Sequence, residues 1–339
     1  MQVNQNIPCI SVKAYILEQF RQKKGCFFTG EALARQLGVS RVAVWKGVKA
    51  LIAAGYPIEG DDKGYRWIQE KESLTGDDFL YPWEFEEREK LFHHWVSTDS
   101  TMNRAAELAG RLYPGGSVIT AEEQTSGRGR NSRTWNSQKG GLFFTLLERP
   151  FLSALEYPKL SMAAQIASAR AISRMSGKRA LLRWPNDIYV EGKKIAGILT
   201  EFRAEGDRLD WIAIGMGINV NNKVSQKSAA NRSSNYSANS STNLSELTGH
   251  SISRRETLLA VLNEWDKIKN ADSYELGKHW NSMAEGRGRK VMAVEGKEKE
   301  NRPVERGIFL GVDVLGRGVI KNDRDEKRAF SPGSVSFLF

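Results

Sequence analysis

The hydrophobic period changes twice along this 339-residue chain, and those changes limit the folds open to it. Over residues 10–70 the apolar positions recur at helical spacing in short runs, each closed by a glycine. Beyond Val96, strand-like runs alternate with a few helical ones, and from about Arg289 only short strand-like runs remain, separated by turns. That order suits a small helical module, a larger α+β domain and a small barrel. The length fits two or three domains of the usual ~100–200 residues. A hydrophobic fraction of 40% supplies enough apolar residues for real cores.

The first segment reads as a winged helix-turn-helix. Val12, Ile16, Leu17 and Phe20 form one face of a helix ending near Gly25. Thr29-Gly30-Glu31 opens a second helix through Leu33 and Leu37, and Gly38 makes the turn. Ser40 then caps a third helix over residues 41–54, stopped by Gly55. At about 100° per residue, Val44, Val48, Leu51 and Ile52 share a face, with Lys46 and Lys49 opposite and Arg41 and Trp45 at the flank. A recognition helix packs and presents cations in this way, so Ser40, Arg41, Trp45, Lys46 and Lys49 are the candidate DNA contacts. Ile58 to Trp67, turning at Asp61-Asp62-Lys63-Gly64, predicts a two-stranded wing. The net charge of +10 favours an anionic partner. A three-helix interaction module with solvent-facing lysines would show the same periodicity.

Residues 71–95 form an acidic, aromatic connector with one short helix. The large domain follows over residues 96–285, with strands expected at Val118–Ala121, Leu142–Leu147, Leu181–Trp184, Ile195–Phe202 and Trp211–Ile214. Helices are expected at Leu160–Met175, Leu258–Ile268 and Tyr274–Met283, which predicts a mixed sheet with helices on one face. Ten of the eighteen residues from Ser225 to Thr242 are Ser or Asn, the composition of a flexible surface loop. Residues 286–339 carry the C-terminal strands. Gly286-Arg287-Gly288-Arg289, at that junction, reads as a linker and the start of a strand.

Cys9 and Cys26 are the two cysteines, neither in a metal-ligand nor a disulfide-framework pattern. No apolar run reaches transmembrane length and residues 1–10 lack a signal-peptide pattern, so a cytoplasmic protein without membrane contact is expected.

Two clusters carry the chemistry. Gly127-Arg128-Gly129-Arg130, with Arg133 and Trp135 behind it, suits polyphosphate: glycine lets the backbone approach, and guanidinium forks pair with phosphate oxygens. Trp184-Pro185-Asn186-Asp187, followed by Lys194-Ile195-Ala196-Gly197, offers a rigid turn, a carboxylate and a lysine for a small anion beside a nucleotide. Together they point to activation of a carboxylate by ATP. No Ser-His-Asp or Cys-His pattern suggests a protein nucleophile.

In these clusters, and in Asp99-Ser100-Thr101, Gln124-Thr125-Ser126 and Gly215-Met216-Gly217-Ile218-Asn219, the chain resembles the biotin–protein ligases. With its N-terminal segment it resembles the bifunctional type that also represses biotin genes. The resemblance implies synthesis of biotinyl-5′-adenylate from biotin, ATP and Mg²⁺. It further implies transfer to a lysine of the biotin acceptor domain of a carboxylase, an SH3-like C-terminal domain, operator DNA as a partner and a ligand-promoted homodimer.

Carried over by motif, Ser100, Thr101, Met102, Gln124 and the Gly129 backbone hold biotin, and Arg128 and Arg130 clamp phosphate. Lys194 reaches the biotin carboxylate and the adenylate oxygens. Arg133, Trp135, Asn186, Gly215, Gly217 and Asn219 surround the nucleotide, with Asn219 on adenine. Asp187 meets Mg²⁺ or the acceptor lysine. Two positions depart from the family: Arg183 stands where Lys is usual, and Met102 displaces an expected Asn to Asn103. A DNA-binding ligand sensor without ligase activity, or a ligase with an idle N-terminal module, stays open at this point. Lipoate ligases share the core.

Overall fold

The computed structural model describes residues 12–23, 25–53, 56, 58–68, 91–224, 240–295 and 302–339, in two compact units, Met1–His94 and Trp95–Phe339. The expected short helix of the connector and residues 225–239 of the Ser/Asn-rich loop lie outside the described residues.

In the first unit, α1 (Val12–Gln22), α2 (Gly30–Leu37) and α3 (Arg41–Ala53) precede the hairpin of β1 (Ile58–Asp61) and β2 (Gly64–Trp67). The predicted signals act as read. The Thr29 side chain accepts from Ala32 N at the start of α2, and Gly38 takes the left-handed conformation at its end (φ 66°). Ser40 Oγ accepts from Ala43 N at 3.2 Å. Ile16, Leu17, Phe20, Leu33, Val44, Val48 and Leu51 form the core, which Phe28, Tyr56 and Trp67 close. Gly47, rather than Ile52, completes the buried face of α3. A Cβ at Gly47 would stand 3.1 Å from Val12 Cγ1 and 3.2 Å from Ile16 Cδ1, so its absence lets α3 approach α1. Ile52 falls a further step around the helix and is 44% exposed.

The second unit is built on a seven-stranded sheet in the order β3-β4-β5-β9-β8-β7-β6. Its strands are β3 (Phe92–Thr98), β4 (Ser117–Gln124), β5 (Leu142–Glu148), β6 (Ala180–Arg183), β7 (Asp187–Val190), β8 (Lys193–Glu205) and β9 (Arg208–Ile218). The β4-β5-β9-β8-β7-β6 neighbours are antiparallel. Beyond β3 and β4, Thr125 N donates to Thr98 O and Ser126 N to Asp99 O, the constant offset of parallel chains. The sheet is therefore mixed, as expected.

Helix α5 (Tyr157–Ser176) lays an alanine-rich face on the sheet, and α7 (Arg254–Ile268) and α8 (Ser273–Ser282) pack on α5; the short α6 (Leu244–Thr248) precedes them. On β9, Ser168 of α5 donates to Met216 Sδ at 3.4 Å. The neighbouring Gly215 points to the other face, against Met102 of α4 (Thr101–Gly110). The long helices thus share one face, as expected, and α4 is added on the opposite one, with Ala105, Leu108 and Ala109 against Ile119, Leu147 and Ala213.

Two strand details differ from the sequence reading. The strand from Phe92 to Thr98 is not among the expected strands, and it begins just ahead of the expected domain start at Val96. Asp187, just after the Trp-Pro turn, opens β7, a strand absent from the sequence reading, and is paired with Arg183 on one side and Gly197 on the other. A four-residue strand is too short to show alternation, which is why it escaped notice.

The C-terminal strands β10 (Lys290–Glu295), β11 (Arg302–Val312), β12 (Gly318–Lys321), β13 (Lys327–Phe330) and β14 (Ser336–Leu338) form one antiparallel sheet in the order β13-β12-β11-β10-β14. Phe330 and Phe337, on the two edge strands, bring their rings to 6.0 Å. The sheet therefore curls on itself, as the expected barrel requires. No helix among the described residues is long and apolar enough to cross a membrane.

Candidate active site

Three glycines on adjacent strands make a bare patch of sheet. Gly197 of β8 lies opposite Gly217 of β9, and Gly215 lies opposite Leu199. A Cβ at Gly217 would come within 2.5 Å of Trp135 Nε1, and one at Gly215 within 2.6 Å of Met102 Sδ. The indole and the thioether can rest on the backbone only because those Cβ atoms are missing. Around them opens a cavity of about 860 Å³.

Strand geometry aims Lys194 into it. Glu191 (φ 51°) and Gly192 (φ 74°) turn β7 into β8 through the two-residue hairpin that positive φ values favour. Val190 then pairs with Lys193 and Tyr189 with Lys194, but Ile188 pairs with Ala196. Ile195 is the extra residue of a bulge, and it is buried. Plain alternation would put Lys193, not Lys194, on the face of Gly197; the bulge reverses this. Lys194 Nζ stands 2.6 Å from Asp187 Oδ1 and 5.3 Å from the centre of the Trp135 ring, while Lys193 is exposed.

Three of the other cations are also held. Arg128 pairs with Glu201 at 2.9 Å, and Arg183 grips Glu285 through two hydrogen bonds of 2.7 and 2.8 Å while stacking on Tyr189. Arg130 donates to Asn186 Oδ1 and to the carbonyls of Pro332 and Val335. Burial pulls its pKa down, the Asp187 charge opposing this. Burial, with the Asp187 charge, pushes the Tyr189 phenol up to about 12. Six cations line the cavity (Arg128, Arg130, Arg133, Arg183, Lys194 and Arg289) against the carboxylates Asp187 and Glu285. An excess of guanidinium in a partly desolvated cleft favours a polyanion.

The far end is neutral and pre-arranged. Gln124 Oε1 accepts from Thr101 N at 2.8 Å and from Thr101 Oγ1 at 3.1 Å, and Thr145 Oγ1 donates to Thr101 Oγ1. Gln124 Nε2 donates to Ser137 Oγ. Ser100 caps α4, accepting from Met102 N. Met102 lines the cavity, whereas Asn103 turns away and donates to Asp99 Oδ2 at 2.6 Å. That bond, then the Ser100 amide, holds the Asp99 carboxyl well below the usual carboxylate range, although burial works against them.

Every ligand residue expected in the large domain lines this cavity except Asn219. The Asn219 side chain is buried behind the site. Its Nδ2 donates to Thr242 O and its Oδ1 accepts from Asn222 Nδ2. Asp187 stands in no group of three or more potential metal ligands among the described residues, and its carboxylate already faces Lys194. A resident metal at Asp187 does not fit this arrangement.

The sequence reading missed the wall made by the C-terminal region, including Glu285, Arg289 and Phe339. The repeated Gly-Arg pattern at residues 286–289 was its signal, set aside as a junction; Arg289 is in fact part of the lining.

In the first unit, Arg41, Lys46 and Lys49 are exposed along α3, and Lys49 Nζ lies 4.2 Å above the exposed Trp45 ring. On the wing, Arg66 pairs with Glu59 at 2.6 Å and lies over Phe27.

Comparison with known proteins agrees with both halves. Residues 96–219 match the biotin/lipoate A/B protein ligase family, and residues 13–66 match an HTH domain. The chain is 36% identical over 250 residues to the bifunctional ligase/repressor BirA of Bacillus subtilis, covering 73% of this chain and 75% of that protein. Against the Escherichia coli protein of the same name it is 28% identical over 261 residues, covering 73% and 79%. Among solved structures it is similar to the Aquifex aeolicus biotin protein ligase in complex with biotin and ATP. That match has a TM-score of 0.59 and 27% identity, and covers 73% of this chain and 98% of that one.

Proposed function

From the premise that the chain belongs to the biotin/lipoate A/B protein ligase family, in its bifunctional ligase/repressor branch, we propose how its cavity joins biotin to ATP. The observation that carries the reading is Lys194, set by the bulge on the glycine floor beside Asp187. A carboxylate oxygen of biotin attacks the α-phosphorus of ATP, the bond to pyrophosphate breaks, and biotinyl-5′-adenylate forms. An acceptor lysine then attacks the carbonyl carbon and AMP leaves.

The first step brings two anions together, and cations oppose that repulsion. Lys194 leaves Asp187 for the oxygens shared by the carboxylate and the α-phosphate. Arg128 and Arg130 exchange their present partners for phosphate. Mg²⁺ enters with ATP as the counter-ion of its phosphates. In the second step Asp187, freed from Lys194, takes the proton that an amine of pKa ~10.4 must lose before attack. Thr101 and Gln124 offer the biotin ring a donor and acceptor array already in place, and Met102 closes its apolar side.

The reading is tested by incubating the protein with ATP, Mg²⁺ and either biotin or lipoate while following pyrophosphate release. Biotin should support release and lipoate should not; release with lipoate alone would transfer the assignment to the lipoate branch.

The first unit supplies the repressor. We propose that adenylate promotes a homodimer and that two α3 helices then meet two half-sites of operator DNA, a linked event with higher affinity than either contact alone. ATP and operator DNA as partners go with work in the cytoplasm. Footprinting of a biotin-gene promoter should show protection that requires biotin and ATP together and weakens with salt. Lys46→Ala or Lys49→Ala should lower it without affecting biotin transfer. The same footprint with and without the two ligands would reject this control.

A further inference from the structure

We propose that Arg289, from the second Gly-Arg segment, binds the β,γ-phosphates of ATP and the pyrophosphate they become. The inference rests on the ligase reading above and adds to it a substrate contact from the C-terminal sheet.

The two arginines of Gly286-Arg287-Gly288-Arg289 have different fates. Arg287 Nε donates to Leu310 O at 2.9 Å, so its guanidinium is used in holding the sheet. Arg289 lines the cavity and is exposed, and its side chain has no hydrogen-bond or ion-pair partner among the described residues. Its backbone is fixed. Phe309 N donates to Arg289 O, Arg289 N donates to Gly286 O, and Gly288 N donates to Phe309 O, all at 2.8–3.0 Å. Gly286 (φ 77°) and Gly288 (φ 83°) make the turn that allows this. A charged side chain on a rigid stem, facing a cavity with its donors unspent, is arranged for a ligand.

Charge accounts for the kind of ligand. Lys194, Arg128 and Arg183 are each matched by a carboxylate, so each must give up a partner before it helps an incoming anion. Arg289 gives up none. ATP brings two more phosphates than the adenylate that remains after the reaction, and these need cations that the product does not.

Position favours the outer phosphates. Arg130 reaches the carbonyls of Pro332 and Val335, just before β14, and β14 runs antiparallel to β10, so that Leu338, which also lines the cavity, lies at the Arg289 end of the pair. A phosphate chain leaving the Lys194 floor past Arg130 therefore runs toward the C-terminal sheet. A guanidinium fork there can bind two oxygens of a terminal phosphate at once.

The test compares wild type, Arg289→Ala and Arg289→Lys in the adenylation half-reaction. For Arg289→Ala, KM for ATP and the inhibition constant for added pyrophosphate should each rise roughly tenfold, the loss expected for one charge-assisted contact. KM for biotin, affinity for preformed biotinyl-adenylate and KM for the acceptor should stay unchanged, because none of these includes a β-phosphate. Arg289→Lys should recover part of the ATP affinity. Unchanged ATP and pyrophosphate constants would overturn the proposal, as would a rise in the acceptor KM alone, which would assign Arg289 to protein docking. A parallel loss of biotin and adenylate affinity would overturn it too, by showing a general disturbance of the cavity. Failure of the wild type to release pyrophosphate with biotin would instead reject the ligase reading.

Discussion

Lys194→Ala is expected to lower adenylate synthesis roughly a hundredfold, while Lys193→Ala leaves it within about twofold, on the 1.5–3 kcal/mol carried by a hydrogen bond to a charged group. The loss lies toward the upper end of that range because Asp187, 2.6 Å from the ammonium, would then face the incoming carboxylate with nothing to neutralise it. Lys193 is exposed at the start of the same strand and serves as an internal control for expression and fold. The rate of pyrophosphate release with saturating biotin measures both. Equal effects of the two substitutions would mean that the bulge at Ile195 does not select the lysine.

Glu122→Ala is expected to destabilise the second unit by about 3–5 kcal/mol, the usual cost of removing one partner from a buried ion pair. Glu122, at the end of β4, meets Arg254, the first residue of α7, at 2.9 Å, and the two residues are 7% and 3% exposed. Arg254 also donates to Gly141 O, so the pair ties helix, strand and the turn before β5. At about 2–4 °C per kcal/mol for a domain of this size, the melting transition should fall by roughly 10 °C. Replacing both partners with apolar residues of similar volume should recover most of that loss, since it leaves no unmatched charge. A calorimetric transition unchanged in Glu122→Ala would refute the assignment.

These two cases differ in how far the sequence alone could reach. The choice of Lys194 over Lys193 came from motif matching; alternation along β8 argues for the wrong lysine, and only the bulge explains the right one. Glu122 and Arg254 carry no local signal, because neither sits near the other in sequence and a lone charged residue reads as solvated. Asn219 is a different case. Its motif context marks it as a ligand, and the fold adds what the motif could not show, that Thr242 and Asn222 hold its amide in place.

The sequence by itself determined whatever is local. Helical spacing placed α1 to α3, Thr29, Gly38 and Ser40 set their ends, and the Gly-Arg and Trp-Pro-Asn-Asp clusters named the chemistry. Backbone propensity and capping act over a few residues, so one chain segment suffices to read them. Tertiary structure decided what depends on distant partners. It put α4 on the ligand face and Gly47 under α3, added Arg289 and Phe339 as a wall, and set Asn219 behind the cavity. Burial, charge pairing and strand register are set by residues far apart in the chain, and a one-residue bulge is enough to exchange the two faces of a strand.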